Sequence, residues 1–458
     1  MWNLGIHKKK LVGPLLLIFF SGLGIAIAQE KIVGYYASWN EESLPYNNVE
    51  YSNLTHINVA FAIPLSSGIV NTSGLAFPQL VSAAHAAGVK MLISIGGADS
   101  GPSFATASAD SAHRANFINS IVSFLFEYSY DGVDIDWETP SSPTETAQLT
   151  ALIQEMRAKF NKTDSSWLIT MAIGPTNYSG QHFDYPNLNN YVDWYNVMCY
   201  DFVGSWCNYS GHNSPLYFNA RKDPNQATAD SDAIVYNHST RGIPLNKLVL
   251  GVPFYSDEFN APGLYQRLTN SNVSNLFYQN IVDSLAKGWT YNWDSTSAVP
   301  WMENPAKTQF ITFEDTNSIK LKVEYAVRQK LGGMMIWELS QDLYNGTQPL
   351  LETMAKTMRE LTPVAPKPAV VSNYKLYDNY PNPFNPSTVI SYQLSRNSYI
   401  AVKIYDVLGR EVATLVNERE DAGTHYVRFD GSGLSSGVYF YALTAGDFSQ
   451  TKKMLLIK

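Results

Sequence analysis

The stretch DGVDIDWE, residues 131–138, decides how the rest of the chain is interpreted. Its β-branched and aromatic residues predict a strand over 132–137. Side chains alternate between the two faces of a strand, so Asp134, Asp136 and Glu138 share one face and apolar residues occupy the other. Three carboxyl groups this close cannot all stay ionised in a partly buried site, so at least one pKa must rise. A carboxyl group that keeps its proton near neutral pH is a general-acid candidate of the kind a glycosidase requires.

Two other interpretations of this stretch are weaker. Aspartates at alternate positions also begin calcium loops, but here apolar residues separate them and no glycine follows at the turn position. A purely structural row is disfavoured because unpaired buried charge is costly. Glu138 comes last in the row, at the C-terminal end of the strand, where barrel enzymes gather their catalytic groups.

Short β-rich runs alternate with amphipathic helical segments from residue 32 to about 361. This alternation predicts parallel strands joined by crossover helices. The predicted strands are 32–37, 55–62, 90–95, 132–137, 167–173, 194–200, 248–254 and 334–339. Eight such units predict an α/β fold, a (β/α)8 TIM barrel, with an open doubly wound sheet as the alternative. One helix is especially clear, with Ser142 as N-cap, Pro143 in the first turn and an apolar stripe over 149–160.

The two ends of the chain differ from this central part. Residues 1–28 have the basic start, apolar run and small residues of a secretory signal peptide, and a membrane anchor is the alternative. Three prolines within 363–372 predict a stiff linker. Alternating runs separated by turn residues over 373–458 predict a small antiparallel β-sandwich. The predicted domains are thus a signal peptide (1–28), a barrel (29–362), a linker (363–372) and a sandwich (373–458).

The composition restricts the partner. Only 16% of residues are charged, 13% are aromatic and the net charge is −8. This balance argues against nucleic acid and against stable membrane insertion, and it suits an uncharged partner whose apolar faces stack on rings. The two cysteines, Cys199 and Cys207, exclude a disulfide framework and a four-thiolate zinc site. We expect Cys199 to be a reduced core thiol, with a Cys199–Cys207 disulfide as the alternative, and we expect no metal and no cofactor.

Short motifs recur at the predicted strand ends of the barrel. They are residues 34–36 (GYY), 61 (F), 94–97 (SIGG), 131–138, 198–201 (MCYD), 251–255 (GVPFY) and 333–337 (GMMIW). Taken together, these strand ends resemble those of glycoside hydrolase family 18, the chitinases and their relatives. The resemblance covers about 31–345. It implies a secreted monomeric hydrolase that acts on chitin or N-acetylglucosamine oligosaccharides.

The resemblance also implies a role for each matching residue. Glu138 would be the general acid, and Asp136 would orient the 2-acetamido group of the substrate and raise the pKa of that acid. Asp134 would share a proton with Asp136, and Tyr200 would donate to the acetamido carbonyl. The implied substrate-binding residues are Tyr35, Phe61, Ser94, Gly97, Met198, Asp201, Trp206 and Trp337. Of these, Trp337 would form the floor under the cleaved sugar, and Trp206 would stack on a sugar of the leaving side.

In this family the acetamido oxygen of the substrate is the nucleophile, and the outcome is retention. The leading hypothesis is therefore an endo-acting chitinase. An endo-β-N-acetylglucosaminidase acting on glycoprotein glycans or peptidoglycan is the alternative, and a non-catalytic sugar-binding relative is disfavoured because Glu138 is present. Many relatives carry an α+β insertion after the seventh strand. Only 54 residues separate Tyr255 from Phe310 here, so we expect this insertion to be short or absent and the cleft to be shallow and open.

The C-terminal segment resembles the type IX secretion sorting domain. The resemblance is carried by residues 375–388, 404–413, 434–441 and 452–458. It implies passage across an outer membrane, the type IX machinery as a partner, and a secreted or cell-surface location. A sugar-binding sandwich is the alternative, because the tyrosines of this segment serve equally as a binding platform or as a small core.

Overall fold

The computed structural model describes residues 30–176, 180–225, 227–362, 374–420, 423–446 and 448–458. The chain divides into two compact units, residues 1–363 and 364–458. The predicted signal peptide and the predicted linker lie outside the described residues. Within the described ranges, no helix combines the length and the apolar character needed to cross a membrane.

Parallel strands form a closed barrel in the first unit. They are β1 (Lys31–Ala37), β2 (His56–Pro64), β3 (Lys90–Gly97), β4 (Gly132–Trp137), β5 (Leu168–Ile173), β6 (Trp194–Val197), β7 (Leu248–Pro253) and β8 (Gly333–Trp337). Neighbouring strands pair in chain order, and β1 pairs with both β2 and β8, so the sheet closes on itself. The predicted (β/α)8 barrel is confirmed.

Helices surround the barrel and follow its strands in sequence. They are α1 (Pro78–Ala86), α2 (Gly101–Ala107), α3 (Ser111–Tyr128), α4 (Pro143–Thr163), α5 (Tyr185–Leu188), α6 (Asp230–Ser239), α7 (Tyr278–Ala286), α8 (Thr316–Gln329) and α9 (Pro349–Leu361). Helix α4 begins as predicted, because the Ser142 hydroxyl accepts a hydrogen bond from the Glu145 N–H at 3.3 Å and Pro143 follows the cap. Its apolar stripe is buried in the core.

In strand β4, apolar and acidic residues alternate along the sequence, and their side chains lie on opposite faces of the strand. Val133, Ile135 and Trp137 belong to the large core between barrel and helices. Trp137 stacks on Phe104 of α2, with ring centroids 4.9 Å apart and ring planes 7° apart. The carboxyl groups of the same strand therefore face the barrel interior, as the period of two requires.

The sixth strand is shorter than predicted, since β6 ends at Val197 and not near residue 200. The Cys199 N–H bonds to the Val197 carbonyl at 2.9 Å, and Asp201 takes a φ of +57°, so the chain turns out of the ladder there. Cys199 is fully buried, and both it and Cys207 are free thiols, as predicted.

The insertion after the seventh strand is present, so the alternative that it would be absent is wrong. Helix α7 accompanies an antiparallel sheet whose five strands are Ser256–Phe259, Val273–Leu276, Thr290–Asp294, Val299–Glu303 and Phe310–Thr312. Loops and helix α7 connect these short strands, and a small number of residues builds a complete sheet. Length alone is therefore a poor measure of an insertion.

The second unit is all β and antiparallel, as predicted. One sheet contains Lys375–Leu376, Ser387–Leu394 and Gly423–Asp430, and the other contains Ser398–Tyr405, Glu411–Glu420, Gly437–Ala445 and Phe448–Leu456. Its buried core includes Ile390, Val402 and Tyr441, and the Tyr441 hydroxyl donates to the Tyr377 carbonyl at 2.9 Å.

Candidate active site

Asp134 lies inside the barrel and accepts four hydrogen bonds. Its Oδ2 accepts from the hydroxyls of Tyr35 at 2.6 Å and Ser94 at 2.8 Å. Its Oδ1 accepts from Thr170 Oγ1 at 2.6 Å and Asn196 Nδ2 at 3.1 Å. Burial raises the pKa of Asp134, and the four donors oppose that rise. With both oxygens supplied by donors, Asp134 is arranged to be the ionised member of the row.

Asp136 comes next along the strand and has a different environment. It is only 3% exposed, and its Oδ1 has no hydrogen-bond partner in the structure. Burial, followed by the charges of Glu138 and Asp134, raises the pKa of Asp136 well above its ordinary value. The four donors to Asp134 are Tyr35, Ser94, Thr170 and Asn196, and Asp136 is not one of them. The predicted sharing of a proton between Asp134 and Asp136 is therefore not a direct hydrogen bond in this structure. Asp136 thus combines a strongly raised pKa with an oxygen atom that is free to meet a ligand.

Glu138 follows the end of β4 and lines the cleft at the barrel mouth. Its pKa is raised above the ordinary 4.5, first by burial and then by the charges of Asp201 and Asp99. Ser100 Oγ lies 3.1 Å from the Asp136 carbonyl oxygen and accepts from the Glu138 N–H at 3.5 Å. Ser100 therefore fixes the backbone at Asp136 and Glu138.

Tyr200 and Asp201 lie on the segment that follows β6. Tyr200 lines the cleft and packs edge to face on Tyr255, with ring centroids 6.2 Å apart. The Tyr255 hydroxyl donates a hydrogen bond to Asp201 Oδ1. Burial raises the pKa of Asp201, and this hydrogen bond opposes the rise.

Aromatic rings form one side of the cleft. The Phe61 ring stacks on Trp337 with centroids 5.5 Å apart, and Tyr35 lies 5.3 Å from Trp337. Trp39 stacks on Phe61 at 6.0 Å, and 59% of Trp39 is exposed at the rim. The cleft has a volume of about 570 Å³, and Met198 also lines it. Rings placed beside carboxyl groups suit a ligand with both apolar faces and polar edges.

Three predicted binding residues are not among the described residues that line the cleft. Ser94 is fully buried and donates to Asp134. Gly97 has a φ of +89°, and a Cβ on it would lie 2.7 Å from the Phe61 ring, so this glycine makes room for the ring and does not itself line the cleft. Trp206 is 67% exposed and covers Gly204. It is not among the described residues that line the cleft. Its role on the leaving side stays a prediction.

Some site residues were missed by the sequence interpretation. Thr170 lies opposite Asp134 in the register of β4 and β5, as Ser94 does on β3. Asn196 is a fully buried polar residue within the apolar strand β6. A polar side chain inside an apolar barrel strand is a usable signal, because it must find a partner in the barrel interior.

The arrangement is suited to acid catalysis on an uncharged ligand. The row runs from Asp134, which accepts four hydrogen bonds, through the buried Asp136 to Glu138 at the barrel mouth, and the pKa of Asp136 and of Glu138 is raised. The rings of the cleft lie beside this row. Within the described ranges, no three His, Cys, Asp or Glu side chains are grouped as a metal site would need.

Comparison with known proteins agrees with this geometry. Residues 31–342 match the model of Glycosyl hydrolases family 18, and residues 378–458 match the Secretion system C-terminal sorting domain. Chitinase A1 of Niallia circulans is 30% identical over 73% of this chain and 60% of its own length. Chitinase 1 of Aphanocladium album is 31% identical over 58% of this chain and 64% of its own length. The chain thus spans less than two thirds of the length of either relative.

A solved structure, the Ostrinia furnacalis Group IV chitinase in complex with allosamidin, aligns with a TM-score of 0.67 and 25% identity. It covers 73% of this chain and 100% of the solved chain. The alignment includes a closed barrel of the kind described above. The family model covers almost the whole barrel and every carboxyl group of the row, and the chain therefore belongs to glycosyl hydrolases family 18.

Proposed function

We propose that the protein is a secreted, monomeric, endo-acting chitinase that cleaves β-1,4 bonds between N-acetylglucosamine units. One observation carries the proposal: Glu138 stands at the barrel mouth with a raised pKa, directly after the buried pair Asp134 and Asp136. The relatives named chitinase supply the substrate class. The ring-lined cleft beside the acids fits a chain of uncharged sugars.

In the proposed reaction, Glu138 transfers its proton to the glycosidic oxygen as the bond from that oxygen to C1 breaks. The acetamido oxygen of the same sugar attacks C1 and forms a cyclic oxazolinium ion, so the enzyme needs no nucleophile of its own. Asp136 orients the acetamido N–H, and Tyr200 donates to its carbonyl oxygen. Glu138, now a carboxylate, takes a proton from the water that attacks C1, and the acetamido group is restored with net retention.

The endo mode requires separate support, because the insertion that was expected to be short or absent forms a complete sheet. Trp39, at the rim, is the most exposed ring of the cleft. A ring in that position offers a stacking surface to a further sugar of a longer chain. This supports binding of internal segments of a chain.

Substrate class is tested by giving the purified protein chitin and, separately, a glycoprotein that carries high-mannose glycans. We expect soluble N-acetylglucosamine oligomers of several lengths from chitin early in the reaction, and an intact glycoprotein. Release of glycans with chitin left intact would replace the chitinase by an endo-β-N-acetylglucosaminidase. A single product length from the first minutes onward would contradict the endo mode.

The pH dependence follows from the charges around Glu138. Activity needs its protonated form, so kcat/KM is expected to fall as pH rises through a pKa that lies above 4.5. The charge of Asp201 raises this pKa more than the charge of Asp99 does. Asp201→Asn should therefore move the alkaline limb of the profile to lower pH, and Asp99→Asn should move it less. An unchanged limb in Asp201→Asn would contradict this assignment of the acid.

We also propose that the C-terminal unit directs secretion through the type IX machinery to the cell surface or the medium. The match of residues 378–458 to a sorting domain supports this. The signal-peptide pattern of residues 1–28 supplies the preceding export step.

A further inference from the structure

The segment that carries Tyr200 and Asp201 is held in an unfavourable conformation. Asp201 has a φ of +57°, in the left-handed region that non-glycine residues rarely adopt. Such a conformation persists only where the surrounding structure fixes it. The contacts that fix it therefore bear directly on the positions of Tyr200 and Asp201 in the cleft.

Two consecutive residues, Asn213 and Ser214, supply these contacts. Asn213 Oδ1 accepts from the Asp201 N–H at 2.6 Å, and the Asn213 carbonyl accepts from the Phe202 N–H at 3.1 Å. The Ser214 hydroxyl donates to the Cys199 carbonyl at 2.6 Å. The Asn213–Ser214 pair thus holds the backbone on both sides of Tyr200 and at Asp201 itself.

A buried cation anchors this pair from outside the barrel wall. Lys322 of α8 is 0% exposed, and its Nζ donates to the Ser214 carbonyl at 2.6 Å and lies 2.7 Å from Ser214 Oγ. The same Nζ contacts Glu314 Oε1 at 2.7 Å and Asp230 Oδ2 at 2.9 Å. Burial acts to lower the pKa of Lys322, but the two carboxylates outweigh it and raise that pKa, so Lys322 stays charged.

We propose that Asn213 and Ser214, anchored by Lys322, are positioning residues that fix Tyr200 and Asp201 in the cleft. None of the three lines the cleft, so none would touch the substrate. The inference deepens the proposed function and rests on it, because it assigns to these residues the alignment of the groups that meet the acetamido substituent. Small displacements of such groups lower the rate far more than they lower affinity.

The test compares two buried serines on the same loop. Ser214→Ala removes the bond to the Cys199 carbonyl. Ser210→Ala is the matched control, since Ser210 is 0% exposed and its hydroxyl donates to the Gly263 carbonyl at the same 2.6 Å. Asn213→Ala is a second variant, which removes the hydrogen bond from the Asp201 N–H to Asn213 Oδ1. The measurements are Tm, kcat and KM on a soluble N-acetylglucosamine oligomer, and the pH profile of kcat/KM.

We expect Ser214→Ala and Ser210→Ala to lose similar amounts of Tm. Only Ser214→Ala should lose kcat, by roughly tenfold or more, with KM little changed. The titratable groups facing Glu138 are Asp136 before it in the row, Asp99 after β3, and Tyr200 and Asp201 after β6. Release of Asp201 should therefore lower the pKa of Glu138 and move the alkaline limb of Ser214→Ala and Asn213→Ala to lower pH.

Equal kcat values in the two serine variants, or an unmoved alkaline limb in both Ser214→Ala and Asn213→Ala, would overturn the inference and leave the proposed function standing. Inactivity of the wild-type protein on chitin oligomers would instead refute the proposed function. The two failures are therefore distinguishable.

Discussion

Glu138→Gln is expected to lower kcat on N-acetylglucosamine oligomers by roughly 10²- to 10⁴-fold, the range that a general acid contributes. Glutamine matches the size of the protonated acid and carries no charge, but it cannot release a proton to the leaving oxygen. Binding should therefore persist, with a dissociation constant within about threefold of that of the wild type. The measurements are steady-state hydrolysis and equilibrium binding of the same oligomer.

Glu127→Gln is the matched control for this variant. Glu127 is exposed near the end of α3 and does not line the cleft, and its replacement makes the same chemical change. It should keep wild-type kcat. Full activity in Glu138→Gln would show that the proton comes from another group and would remove the basis of the proposed mechanism.

Asp136→Asn should lower kcat by roughly 10²- to 10³-fold with little change in KM, the loss typical of removing one group that stabilises transition-state charge. Asparagine still presents a carbonyl oxygen that can accept from the acetamido N–H and orient the ligand. It can never ionise, whereas an oxazolinium intermediate is positively charged and is stabilised by a carboxylate beside it. Steady-state kinetics over a range of pH measures the effect.

The matched control is Asp131→Asn. Asp131 lies three residues before Asp134, the first carboxyl group of the row. Asp131 precedes β4 at its other end, where its Oδ2 accepts from the Met91 N–H at 2.8 Å. This variant should change stability and leave kcat unchanged. If Asp136→Asn kept wild-type kcat, the carboxyl group of Asp136 would have no role in the chemistry.

The architecture of the barrel was predictable because β-rich runs alternate with amphipathic helical segments along the chain. All eight strands were placed correctly, and β6 is shorter than predicted because Asp201 turns the chain out of the ladder. The insertion was not predictable from its length. Its strands are short and its sheet is complete, so a residue count could not reveal it.

The carboxyl row was predictable because the strand period places alternate residues on one face. The partners of Asp134 were predicted only in part. Ser94 was named through its motif, whereas Thr170 and Asn196 come from strands whose register is fixed only by closure of the barrel. The contact between Lys322 and Ser214 could not be predicted from the sequence, because the two residues are 108 positions apart in the chain.

The most direct test of the proposed mechanism is the anomeric form of the first product of chitin hexamer, followed by NMR before mutarotation. Attack by the acetamido oxygen and then by water on the same face predicts the β-anomer at the new reducing end. The α-anomer as the first product would mean direct attack by water with inversion. That result would contradict the assignment of Glu138, Asp136 and Tyr200 to substrate-assisted catalysis.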